Sequence, residues 1–145
     1  MDRYRQLIEL IDKYKPQSLL EIGTWSGNTA ANMIKAALRH HDKVSYIGYD
    51  LFEQATAETD AREFNVKPHP NYTKTLGSLR AMFPGQYIQL VQGDTNDTLI
   101  EHNVDFAFID GGHSLATIEN DYDKLKGSAI IVLDDYYTDG PDITK

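Results

Sequence analysis

Carboxylates recur in this sequence at one kind of position, the end of an apolar run. Five runs finish at or next to an acid, namely Glu21, Asp50, Asp94, Asp110 and the pair Asp134 and Asp135. If the runs are parallel strands, these side chains meet at one edge of the sheet, where open α/β folds bind ligands. Asp is also common at strand ends and helix caps. An acid after all five runs nevertheless favours a functional site.

The elements that would position these acids can be predicted from apolar periodicity. Most of the five runs are apolar without alternation, as in strands covered on both faces, and they span 18–22, 44–49, 87–91, 104–109 and 129–133. Helical patterns lie between them at 3–14, 28–40 and 114–126. This alternation predicts an α/β, Rossmann-like, doubly wound fold with a mainly parallel sheet of about five strands.

The segment 52–85 is less regular and contains Pro68, Pro70 and Pro84. Short helices are expected near 55–64 and 75–83. Because it interrupts the alternation of strands and helices, we interpret this segment as an insertion that covers the site or faces a substrate.

The composition of the chain excludes several classes of functional site. The 145 residues predict one domain, and the absence of cysteine excludes disulfides, thiolate zinc sites and cysteine nucleophiles. The formal net charge of −8 argues against nucleic acid and fits a cationic or metal-bound ligand, although the same acidity is equally explained by solubility alone. No apolar stretch reaches the roughly 20 residues of a membrane span, so we expect no membrane association and a cytoplasmic protein.

A glycine loop follows the first run, and a helix follows the loop. Gly23 and Gly27 allow a tight turn, and the N-terminus of the helix could hold a phosphate or a carboxylate. A dinucleotide fingerprint would have glycine where this sequence has Trp25. Asp50 also lies 27 positions after Gly23, further than the usual spacing of about 20. These departures disfavour an NAD-dependent oxidoreductase.

The spacing Glu-x-Gly-x-x-x-Gly, from Glu21 to Gly27, resembles the class I S-adenosylmethionine-dependent methyltransferases. The resemblance implies that Glu21 supports the amino group of the cofactor and that Asp50 binds both ribose hydroxyls. It implies further cofactor contacts from the loops after the first three strands, at Gly23, Thr24, Trp25, Gly27, Leu51, Gly93 and Asp94. The last of these, Asp94, would lie near the adenine.

The turn Asp110-Gly111-Gly112-His113 and the pair Asp134-Asp135 resemble a methyltransferase subfamily that includes macrolide sugar O-methyltransferases. The resemblance implies that Asp110, with Asp134 or Asp135, binds magnesium, that Asp110 also borders the cofactor, and that His113 is the general base. A divalent ion prefers oxygen ligands and lowers the pKa of a bound hydroxyl, and imidazole titrates near neutrality. The methyl acceptor would be a small hydroxylated metabolite. In the simpler interpretation, 110–113 is only a turn before a helix.

Members of this family have seven strands, whereas this sequence ends shortly after the fifth. Three explanations stay open: a C-terminally incomplete methyltransferase domain over 1–145, a homodimer through the exposed edge of the fifth strand, or a minimal natural variant. Two rival functions also stay open. One is a non-catalytic nucleoside-binding or assembly module of the same fold, and the other is a metal-dependent hydrolase or hydroxylase that uses Asp110, His113 and Asp135.

Overall fold

The apolar runs form one parallel sheet in the computed structural model, which describes residues 4–134. Its strands are β1 (Ser18–Ile22), β2 (Ser45–Asp50), β3 (Tyr87–Gln92), β4 (Phe106–Ile109) and β5 (Ile130–Leu133). The order across the sheet is β3-β2-β1-β4-β5, so the direction of winding reverses between β1 and β4. The predicted Rossmann-like, doubly wound fold is therefore confirmed, and the reversal is where such folds bind ligands.

Six helices connect or precede these strands in the described part of the chain. They are α1 (Arg5–Tyr14), α2 (Asn28–Leu38), α3 (Ala57–Arg62), α4 (Tyr72–Met82), α5 (Thr95–Thr98) and α6 (Leu115–Leu125), with a 3₁₀ turn at Phe52–Gln54. Ser114 caps α6 as predicted, because its hydroxyl accepts from the backbone N–H of Thr117. Helix α4 begins earlier than predicted, since Asn71 caps it by accepting from the N–H of Lys74.

The core forms two layers, one on each face of the sheet. Side chains alternate along β1, so that Leu19 lies in the layer with α1, α2 and α4, and Leu20 lies in the layer with Leu125 of α6. Both side chains are almost fully buried. Both faces of the central strands are therefore packed, and these strands position the loops that follow them.

Strand β5 lies at an edge of the sheet. It pairs with β4, and within residues 4–134 no strand pairs with its other side. Leu133 at its end is 40% exposed. An open apolar edge of this kind is what the homodimer hypothesis requires, and the homodimer stays a prediction. No helix in the described residues has the length and apolar character needed to cross a membrane.

Candidate functional site at the C-terminal edge of the sheet

Backbone hydrogen bonds join the first residues of the loops after β1, β4 and β5 to the ends of the neighbouring strands. The N–H of Gly23 donates to Tyr49 O, the N–H of Asp110 to Ile22 O, and the N–H of Asp134 to Ile109 O, at 2.8 to 3.0 Å. Gly23 has a φ of 91°, and a Cβ at this position would lie 2.0 Å from the carbonyl oxygen of Asp110. The glycine loop and the turn that begins at Asp110 are therefore in direct contact.

Glu21 lies beneath the glycine loop and is only 1% exposed. Its carboxyl group lies beside the hydroxyl of Tyr46, which in turn lies 3.1 Å from Thr24 Oγ1. Gly48 makes this arrangement possible, because a Cβ there would lie 2.2 Å from Thr24 Oγ1 and 2.6 Å from the Tyr46 hydroxyl. Burial, together with the charges of Asp110 and Asp50, raises the pKa of Glu21 well above its usual range.

Two buried polar atoms near this loop have no hydrogen-bond partner among the described residues. They are Oε2 of Glu21 and Oγ of Ser26. Buried polar groups in folded proteins are almost always hydrogen-bonded, and exceptions call for an explanation. A ligand that donates hydrogen bonds or carries positive charge would explain both atoms. The sequence had not singled out Ser26, Tyr46 or Gly48.

Asp50 is oriented by two backbone N–H groups at the end of β2. Its Oδ2 accepts from Trp25 N at 2.6 Å and its Oδ1 from Leu51 N at 2.7 Å. Each carboxylate oxygen can accept more than one hydrogen bond, so both oxygens keep capacity for a ligand. Trp25 is 42% exposed, and its indole N–H donates to Pro68 O at 2.9 Å. The insertion is therefore attached to the glycine loop.

Asp94 is more heavily engaged than the sequence indicated. It caps α5 by accepting from Asn96 N, and Nη2 of Arg62 donates to its other oxygen. Although burial opposes the shift, bonds from Arg62 and Asn96 lower the pKa of Asp94 below its usual value. Any ligand near Asp94 would also meet Arg62. Gly93 beside it has a φ of 142°, a conformation that favours glycine.

Asp110, His113 and Asp134 lie along the β4–β5 side of this edge. Asp110 is half-buried and accepts from the hydroxyl of Tyr4 at 3.4 Å, whereas His113 is exposed just before α6. The residues between 4 and 134 contain no group of three or more acids or histidines arranged to hold a metal ion. Asp135 lies outside the described residues, so the magnesium site remains a prediction.

A further carboxyl group, that of Asp121 on α6, lies beneath the turn. It is fully buried, and its Oδ2 lies 3.8 Å from where a Cβ on Gly111 would be. Asn120 Nδ2 donates to its Oδ1 at 3.2 Å, while Oδ2 has no partner in the described part of the chain. Burial, with smaller contributions from Glu63 and Asp94, raises the pKa of Asp121 from 3.8 to about 6.

We expect Asp121→Asn to stabilise the protein at pH 7 by about 1–3 kcal/mol. The folded state binds the proton of Asp121 more tightly than the unfolded state does, so stability falls as pH rises from 3.8 to about 6. Asparagine does not titrate, so the substitution removes this loss of stability at pH 7 and should change the free energy of unfolding little near pH 3.5. Urea unfolding at both pH values tests this, with the exposed Asp123→Asn as control. Equal effects of Asp121→Asn at the two pH values would contradict it.

Comparison with known proteins identifies the family. A family model described as a methyltransferase domain matches residues 20–136. Among curated protein sequences, none matches significantly. Solved structures of similar fold include the O-methyltransferase NovP, with a TM-score of 0.65 and 18% identity over 90% of this chain and 65% of NovP.

Two further structures have the same fold. The S-adenosylhomocysteine-bound methyltransferase PaMTH1 of Podospora anserina matches with a TM-score of 0.61 and 18% identity, over 89% of this chain and 50% of that protein. S-adenosylmethionine-bound CalS10, an amino pentose methyltransferase of Micromonospora echinaspora involved in calicheamicin biosynthesis, matches with a TM-score of 0.53 and 12% identity, over 94% and 52%.

The chain thus spans between half and just under two thirds of the length of these three proteins. At such identities the likeness shows the fold alone, while the family model covers most of the chain. The strand order, the glycine loop and the family match all indicate the same family. This chain belongs to the methyltransferase domain family and has the fold of the class I S-adenosylmethionine-dependent methyltransferases.

Proposed function

We propose that this chain binds S-adenosylmethionine at the C-terminal edge of its sheet and methylates a hydroxyl group of a small metabolite. The observation that carries the proposal is the buried carboxyl group of Glu21. This group lies beside the hydroxyl of Tyr46, and its Oε2 has no hydrogen-bond partner among the described residues. Burial and the charges of Asp110 and Asp50 disfavour the ionised form of Glu21, and a cationic ligand beside it would offset that cost.

The donors and acceptors present fit this cofactor. S-adenosylmethionine carries a sulfonium and an ammonium group, and both are attracted by the acids at the ends of β1, β2 and β4. Asp50 presents two oriented carboxylate oxygens, which suits the two hydroxyls of a ribose. A phosphate-containing nucleotide would instead be repelled by these acids, which counts against the NAD alternative.

The residues of the β4–β5 side are proposed to act on the acceptor. When bound, S-adenosylmethionine supplies an electrophilic methyl group and leaves as S-adenosylhomocysteine. His113 is exposed at the edge of the sheet and would accept the proton of the acceptor hydroxyl, while Asp110 would border both ligands. NovP is an O-methyltransferase and CalS10 an amino pentose methyltransferase. These activities support a hydroxyl group of a sugar as the first acceptor to be tested.

Magnesium is a separate part of the proposal. Asp134 lies beside Asp110 because its N–H bonds to Ile109 O, and oxygen ligands suit a divalent ion. Asp110 with Asp134 or Asp135 would hold the ion next to the acceptor hydroxyl and lower its pKa. Methyl transfer that persists in full after EDTA treatment would remove the metal from the mechanism and leave the rest intact.

Calorimetric titration with S-adenosylmethionine and S-adenosylhomocysteine tests cofactor binding. We expect Asp50→Ala to weaken binding by about tenfold or more, which is about 1.4 kcal/mol. Asp42→Ala is the matched control, because Asp42 is an exposed acid that precedes β2, whereas Asp50 ends it. Equal affinities of the two variants would contradict the role of Asp50.

Cofactor binding without methyl transfer to any acceptor would favour the non-catalytic module. Metal binding without cofactor affinity would favour the hydrolase or hydroxylase.

A further inference from the structure

The end of α3 makes a second set of contacts with the site, through Glu63. This carboxylate is 6% exposed although it comes from the irregular insertion. Its Oε2 accepts from the backbone N–H of Ser114 at 2.9 Å, and its Oε1 accepts from the hydroxyl of Thr117 at 2.6 Å. Glu63 therefore binds the first turn of α6, directly after His113.

The close approach of Glu63 depends on Gly112. A Cβ at Gly112 would lie 2.4 Å from Oε2 of Glu63. The glycine thus leaves the space that the carboxylate fills, and the carboxylate lies against the turn between Asp110 and His113. Burial acts to raise the pKa of Glu63, but bonds from Thr117, Ser114 and Arg62 hold it below its usual value. The carboxylate is therefore ionised at the positive end of α6.

Glu63 also belongs to a closed ring of hydrogen bonds. Arg62 donates to Glu63 and to Asp94, while Asn96 Nδ2 donates to Asp94 at 2.9 Å and to Thr117 Oγ1 at 3.0 Å. Thr117 closes the ring by donating to Glu63. The ring connects the loop after β3 with the turn after β4, at the edge where the cofactor is proposed to bind. The ring holds these loops at a fixed separation.

We propose that Glu63 is a positioning residue that fixes the Gly112-His113 segment, so that His113 faces the acceptor. The inference rests on the proposed function, since it assigns to Glu63 the placement of the proposed base. It goes beyond the family motifs, because Glu63 comes from the insertion and lies 50 positions before His113. A misplaced catalytic group commonly costs about 100-fold in rate.

The test compares Glu63→Ala and Glu63→Gln with Glu58→Ala, which replaces an exposed glutamate in α3, the helix that Glu63 directly follows. We expect Glu63→Ala to lower kcat by about 10- to 100-fold, with KM and the Kd for S-adenosylmethionine changed by less than about threefold. Glu63→Gln should recover part of the loss, because its amide oxygen can still accept from Thr117. Glu58→Ala should match the unmodified protein. An unchanged kcat in Glu63→Ala, or an equal loss in Glu58→Ala, would overturn the proposal.

A measurement without turnover separates this inference from the proposed function. The ring resonances of His113, assigned with a His113→Gln variant, should shift in Glu63→Ala and not in Glu58→Ala, with and without S-adenosylhomocysteine. If Glu63→Ala does not fold, Thr117→Val decides, because it removes the hydroxyl that bonds to Glu63 and keeps the side-chain shape. His113 resonances that stay in place in every folded Glu63 and Thr117 variant would overturn the positioning role, whether or not methyl transfer is found.

Discussion

Replacement of Gly23 by alanine is expected to destabilise the protein by about 3–5 kcal/mol and to abolish measurable cofactor binding. The added Cβ would lie 2.0 Å from the carbonyl oxygen of Asp110. This oxygen belongs to the backbone directly after β4, so it cannot move aside as a flexible side chain could. The φ of 91° adds strain for any residue with a side chain. Urea unfolding and calorimetric titration with S-adenosylhomocysteine measure the two effects.

Gly77→Ala is the matched control for this prediction. Gly77 lies in α4, and a Cβ there would meet no atom within 4 Å. Alanine should therefore stabilise this helix by about 0.5–1 kcal/mol through propensity alone. If both substitutions had the same effect on unfolding and binding, the contact between the glycine loop and the Asp110 turn would have no energetic importance.

Loss of His113 is the second substitution with a large expected effect. With an acceptor found by screening, His113→Ala should lower kcat by about 10²- to 10⁴-fold, because proton transfer by a positioned base contributes that much. The Kd for S-adenosylmethionine should stay within about threefold, since His113 is not one of the proposed cofactor contacts. Formation of S-adenosylhomocysteine at saturating cofactor measures the rate.

The control for His113 is His41→Ala. His41 lies after the end of α2, away from the strand ends that carry the acids, and its imidazole bonds to Lys15 O. We expect this variant to keep the full rate. A His113→Ala enzyme with an undiminished kcat would rule out the general base and favour the simpler interpretation, in which 110–113 is only a turn before α6.

The central part of the fold could be predicted because its signals are local. The bounds of β1 were predicted to the residue, and α2 and α6 to within two residues, since unbroken apolar runs, caps and helical spacing mark them. Helix α5 was missed because four residues carry no periodicity. The acids at the strand ends could be placed on one edge, since parallel strands leave no other arrangement.

The partners of the site residues could not be predicted in the same way. The contact of Tyr46 with Thr24 and Glu21 depends on the space above Gly48, and that space exists only when β1 and β2 are paired. Glu63 reaches Ser114 from an irregular segment whose path no local pattern specifies. Asp94 was expected to be available to the adenine, and only the folded chain brings Arg62 to it.

The central position of β1 has a consequence for the order of assembly. Its neighbours are β2, which follows closely in the chain, and β4, which begins 84 residues after the end of β1. Contacts between distant residues form late, because closure of a long loop opposes them. A nascent chain that has been synthesised only through β3 would contain Asp50 but would lack the Asp110 turn that contacts Gly23. The cofactor should therefore bind only after β4 has joined the sheet. Because it would bind the folded state and not earlier states, it would stabilise the fold only in the last stage of folding.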